Sequence, residues 1–168
     1  DFNDKMGIVN STGEIIIPLE YDYLEIYLDR EKGFEVYIAE KDNKNGLLDA
    51  NGEIVADFIY DYIDIFVYET GTLTFRVNHK YGLIHYTGKV LSEAIYDSIE
   101  SLGFSDTYLC KVKLDEKVGC MNIAGSIILP VEFDKVDAIW EYLIVIKDHK
   151  TGLYDFDGNQ LTKIIYDR

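Results

Sequence analysis

Five aspartates stand directly behind an aromatic ring, at Tyr21-Asp22, Tyr60-Asp61, Tyr96-Asp97, Phe133-Asp134 and Tyr166-Asp167. A carboxylate beside a phenol can bind a cation or a sugar, and a row of such pairs would make a ladder of like pockets. Phe133 argues against that use, because a pocket relying on the phenol oxygen would fail in the fourth copy. The structural alternative is that each ring fills space between neighbouring sheets while the aspartate accepts backbone N–H bonds in the turn that follows. Five lysines, Lys5, Lys44, Lys80, Lys117 and Lys150, each lie 17 residues before one of these aspartates. That common phase predicts that lysine and aspartate meet as surface ion pairs.

Other chemistry is sparse. Asp155-Phe-Asp157-Gly-Asn159 matches the start of a calcium loop but lacks the later ligands and the distal glutamate. His79, His85 and His149 fall in separate turns without zinc spacing. Cys110 and Cys120 flank a turn and read as two small buried hydrophobes rather than a disulfide. No glycine-rich loop opens a helix, and no serine, cysteine or lysine has a context that marks a nucleophile. The sequence therefore predicts no enzyme, no cofactor, no metal site and no catalytic residue.

The elements that carry these residues repeat. Each lysine stands two residues before a glycine, and a second glycine, Gly13, Gly52, Gly88, Gly125 or Gly158, follows six residues later. Five fixed residue classes in five copies make an internal repeat, and repeats decide architecture before local propensity does. After the first glycine come two apolar residues, as in Leu47-Leu48, which predicts a strand A covered on both faces. A polar turn ending in the second glycine predicts a hairpin with that glycine at positive φ. Strand B follows, as in Ile127-Ile-Leu129. Pro18 and Pro130, which cannot donate to a ladder, place it at an edge or an end. A third strand C alternates, as in Leu73-Thr-Phe-Arg-Val77. No helix is expected.

The fold class expected is all-β, with five tandem repeats of about 37 residues and three short antiparallel strands per repeat. A lone sheet of that size leaves one face bare, so each copy must take its neighbour's apolar face as its own core. An open stacked array is favoured, with a closed five-bladed ring as the alternative. The chain reads as one domain over 1–168, with repeat cores at 5–22, 44–61, 80–97, 117–134 and 150–167, excerpted from a longer protein.

Aligned as Lys-x-Gly, a hydrophobic pair, a polar turn, Gly, an apolar strand and Tyr-Asp, the unit resembles the bacterial WG repeat, also called the KWG repeat. Ile17-Pro18 and Leu129-Pro130 match the Ile-Pro that often precedes Tyr-Asp in that family. The family's tryptophan is replaced by Met6, Asn45, Tyr81, Val118 or Thr151, which marks a divergent member. The resemblance implies an all-β array with roles in binding and assembly, and it brings no catalytic residues.

Sixteen basic and 31 acidic residues give a net charge of -15. Such a surface repels phosphate backbones and anionic headgroups and favours basic partners, so neither nucleic acid nor membrane is expected as a ligand. No run of about 18 apolar residues occurs, and no targeting segment assigns a compartment. All length variation falls between each aspartate and the next lysine, and loops that vary on a fixed frame carry specificity. The function expected is a non-enzymatic scaffold that meets a basic protein or peptide through Tyr27, Asp29, Glu31, Tyr68, Glu69, Phe104, Asp106, Trp140, Glu141 and Tyr142. End-to-end self-association through open strand edges is a further expectation. A neutralising protein against a basic toxin and a carbohydrate-binding module are the alternatives. Trp140 has two expected places, exposed in an interface or packed beneath its short loop.

Overall fold

The computed structural model describes residues 5–29, 33–103 and 108–167, with the backbone alone at Tyr166 and Asp167. The described residues form antiparallel strands and a single 3-10 turn at Tyr68–Thr70. A two-stranded sheet pairs β1 (Met6–Val9) with β2 (Ile15–Tyr21). The second sheet holds β3 (Tyr23–Asp29), β4 (Phe34–Lys41), β5 (Lys44–Asp49) and β6 (Ile54–Tyr60) in that order. The third holds β7 (Tyr62–Val67), β8 (Thr72–Val77), β9 (Lys80–His85) and β10 (Val90–Tyr96). The fourth holds β11 (Ser98–Ser101), β12 (Leu109–Leu114), β13 (Lys117–Asn122) and β14 (Ile127–Phe133). The fifth holds β15 (Lys135–Ile139), β16 (Tyr142–Lys147), β17 (Lys150–Tyr154) and the short β18 (Tyr166–Asp167). The all-β repeat architecture expected from the sequence is therefore present, and among the described residues no sheet closes into a barrel. Two compact units divide the chain, one of 1–78 with 84–90 and the other of 79–83 with 91–168.

Each four-stranded sheet contains one strand more than the sequence pattern suggests. The extra strand directly follows the aromatic–Asp pair, over β3, β7, β11 and β15. It lies at a sheet edge, so its outward positions carry charge and tyrosine, and only a residue such as Ile63 or Val136 is deeply buried. That mixture hides the period-2 signal on which a sequence reading relies. A sheet thus starts just after one Tyr-Asp and ends on the next aromatic.

Strand B also runs on past its proline. Met6 pairs with Tyr21 and Ile8 with Ile17, and Val118 pairs with Phe133 and Cys120 with Leu129. Three residues of B therefore oppose one glycine of A, and the proline sits in this bulge on an edge strand, where a missing donor does no harm. Gly7, Gly46 and Gly119 are required by that crossing. A Cβ on Gly119 would stand 2.7 Å from the Leu129 carbonyl oxygen.

Strand A is buried on both faces in β5, β9 and β13, as its apolar pair implies, whereas in β1 Val9 is exposed and in β17 the pair is half-buried. Cys110 pairs with Met121 and Lys111 with Cys120, so the two cysteines point to opposite faces of their sheet. Both are free and fully buried, and burial pushes each thiol up to about 12. In the first unit Ile17 and Tyr21 of the first sheet pack with Tyr37, Ala39 and Leu48 of the second. In the second unit Cys120, Leu129 and Phe133 of the fourth sheet pack with Val136, Leu143 and Val145 of the fifth. The faces are shared between consecutive copies, as nearest-neighbour stacking requires.

Candidate functional site

The repeated Lys-to-Asp spacing closes into one geometry. Lys5, Lys44 and Lys80 each donate from Nζ to Oδ1 of Asp22, Asp61 and Asp97 at 2.5 Å, and Lys117 does so to Asp134 at 2.6 Å. The second oxygen of each carboxylate accepts a backbone N–H from a turn in the following sheet. The donors are Asp42 at 3.1 Å, Asn78 at 2.8 Å, Asp115 at 2.9 Å and Asp148 at 2.8 Å. Each of these residues opens a two-residue connection between strands C and A with both φ angles positive, as in Asp42 (53°) and Asn43 (60°). Such a turn leaves its first N–H without a strand partner, and the aspartate supplies one. The lysine bond, and then the backbone bond, hold all four carboxyls below the ordinary value. In the fifth copy the backbones of Lys150 and Asp167 pair in register.

The aromatic neighbours of these aspartates are core residues. Tyr21, Tyr60, Tyr96 and Phe133 are all buried. Their ring contacts run to the next sheet, Tyr21 to Phe58 at 5.6 Å, Tyr60 to Phe75 at 4.9 Å and Phe133 to Tyr154 at 5.9 Å. A ladder of phenol pockets is therefore not what the pairs form. At the A–B turn, Gly13, Gly52, Gly88, Gly125 and Gly158 take φ between 81° and 86°, as expected. Asp155 accepts the N–H groups of Asp157 and Asn159 within its own turn. No group of three metal-ligating side chains occurs among the described residues.

The loops differ from copy to copy. Tyr27 is half-buried, its phenol raised by desolvation and by a bond to Glu25, and Asp29 ends β3. Tyr68 opens the 3-10 turn, donates its hydroxyl to the Leu28 carbonyl and leans on Phe34 at 6.1 Å, with Glu69 exposed beside it. Glu31, Phe104 and Asp106 lie outside the described residues. Trp140 and Glu141 form the two-residue tip between β15 and β16, where Ile139 pairs with Tyr142. The indole is 82% exposed at φ 58°. It does not pack beneath the loop, and Ile139, Glu141 and Tyr142 are exposed around it.

One concave feature had no sequence signal. In the first unit a depression of about 400 Å³ is lined by Tyr23, Glu25, Glu40, Asp61, Tyr62 and Asp64, among others. These residues come from strands far apart in sequence, so only folding brings them together. Asp61 is already held by Lys44, and Asp64 accepts the Tyr62 hydroxyl at 2.6 Å.

Fold and clasp together define a tandem β-repeat protein whose copies are joined by an invariant lysine, aspartate and backbone amide. A profile of the WG-containing repeat matches residues 6–44, 46–81 and 81–117, and the chain belongs to that family. A crystal structure of the eukaryotic initiation factor is similar over 88% of this chain, with 9% identity and a TM-score of 0.44. The chain spans 44% of the length of that protein. No curated protein matches the sequence.

Proposed function

We infer that the chain is a non-enzymatic β-repeat scaffold that presents its Asp-to-Lys loops to a basic protein or peptide. Trp140 is the observation that carries this reading. An L-residue in the left-handed region costs about 1–2 kcal/mol, and the first residue of a two-residue hairpin is ordinarily Gly, Asn or Asp. The sole tryptophan stands there instead, with most of its indole in water. Neither cost serves the fold, and residues held against local preference gather at binding sites. Tryptophan and tyrosine are the side chains that anchor interfaces. The net charge of -15 and the acidic depression of the first unit favour a cationic partner, and the Arg76 guanidinium already lies 5.8 Å over the Tyr62 ring.

The single indole is its own reporter. A panel of basic peptides and proteins titrated against the domain should include binders that shift its emission to the blue, with association slowed by added salt. Trp140→Ala should weaken such a partner at least about tenfold, the range of an interface anchor. Trp140→Gly should weaken it equally while leaving the fold as stable or slightly more so. Equal binding by these variants, or binders that leave the emission unmoved, would sink the assignment.

A further inference from the structure

The A–B turns follow one plan, and one departs from it at a single position. Asn10, Asp49, Asn122 and Asp155 each place a side-chain oxygen between the backbone N–H groups two and four residues on, at 2.8 to 3.0 Å. In the third copy that position is His85. Its Nδ1 accepts the Thr87 N–H at 3.4 Å and lies 2.8 Å from the Thr87 hydroxyl. The turn backbone is otherwise that of its sisters, with Gly88 N–H donating to the His85 carbonyl and His85 N–H to that of Lys89, both at 2.8 Å.

An imidazole can stand in for an Asn or Asp oxygen only while Nδ1 keeps its lone pair, with the ring proton on Nε2. The Thr70 backbone, from the 3-10 turn, lies beside the ring and favours a proton on it. The other groups around the ring come from the hairpin itself. They are the Tyr86 phenol ring at 4.2 Å, the Thr87 hydroxyl and Lys89, the charged group that acts on it. Burial first, and then Lys89, oppose a second proton and lower the imidazole from its ordinary value. If a solvent proton adds to Nδ1, the Thr87 hydroxyl can turn to accept it, but the Thr87 amide loses its acceptor. That loop is also a brace: Tyr86 N–H donates to the Gly71 carbonyl at 2.9 Å, and the Tyr86 ring stacks on Phe34 at 4.5 Å.

We propose that the third A–B turn is a proton-sensitive joint, in which protonation of His85 releases the Thr87 amide and loosens residues 86–88 while the four sister turns stay closed. Linkage sets the sign. The closed turn favours the neutral ring, so its advantage is complete above the ordinary imidazole value of about 6.5 and declines as pH falls through the lowered one. Over that window the open-to-closed ratio rises by up to about tenfold per pH unit. Brought between pH 7.5 and 5, the protein should give a His85 ring titration below the ordinary imidazole value of about 6.5, with ring nitrogen shifts of the Nε2–H form at the start. The Thr87 and Gly88 amide signals should follow the same midpoint, relaxation dispersion should grow at Tyr86 and Gly88, and Ala124 in the fourth turn should stay still. His85→Asn, which restores the sister arrangement, should abolish the response. A His85 midpoint at or above the ordinary imidazole value of about 6.5, a rigid 86–88 loop throughout, or an unchanged response in His85→Asn would each overturn the proposal.

Discussion

The clasps and the loop tips obey opposite rules. Four lysine–aspartate bonds agree to within 0.1 Å, and each aspartate uses both oxygens on partners that the fold itself supplies. The tips share no such plan. Tyr68 bonds to a neighbouring strand, whereas Trp140 stands in water on a backbone that suits glycine. Stability has been placed in what the copies share, and variation in what they do not. Substitutions in the frame should therefore move stability strongly, while those at the Trp140 tip should scarcely move it.

The largest effect is expected at Phe133, which joins the fourth sheet to Val136, Leu143 and Val145 of the fifth. Phe133→Ala should cost about 3–5 kcal/mol in urea unfolding. A loss under about 1 kcal/mol would mean that the shared face is not what holds the copies together. Next comes a pair of glycines with nearly one φ, 86° at Gly125 and 84° at Gly13. A Cβ on Gly125 would overlap the Leu91 carbonyl, while one on Gly13 meets nothing within 4 Å. Both alanine variants carry the left-handed penalty, and only Gly125→Ala should add about 1–3 kcal/mol for the overlap. Equal losses would show that conformation alone selects these glycines.

The smallest effect is a pH dependence. Each clasp aspartate titrates below its ordinary value because of lysine and then the turn amide. Its contribution is therefore complete above about pH 4 and is lost as pH falls through the lowered value. Asp97→Asn should be less stable than the parent at pH 7, with the gap closing as pH falls through the lowered value. Parallel stability curves would remove the clasp from the account.

What the sequence discloses and what it hides follow from chain distance. The lysine arm of the clasp is legible because it always spans 17 residues. The amide arm spans 20, 17, 18 and 14 residues, since it crosses the variable loop, and no fixed spacing betrays it. The buried rings could be foreseen from Phe133 alone, because a position that tolerates loss of the phenol oxygen is a packing position. The edge strands escape detection, since β3 and β7 mix tyrosine and carboxylate on their outer side. Trp140 was poised between two environments in the sequence, because composition cannot say on which side of a hairpin an indole settles. The depression in the first unit left no trace at all, being assembled from residues in successive sheets.

The aspartate that grips backward with one oxygen and forward with the other also makes copy number cheap to change. Excising residues 80–116, one full period, would leave Asp61 facing Asn78 and Lys117 facing Asp134, so every surviving joint would keep both of its partners. A chain assembled this way can lengthen or shorten by whole periods through simple duplication or loss, with no new seam to invent.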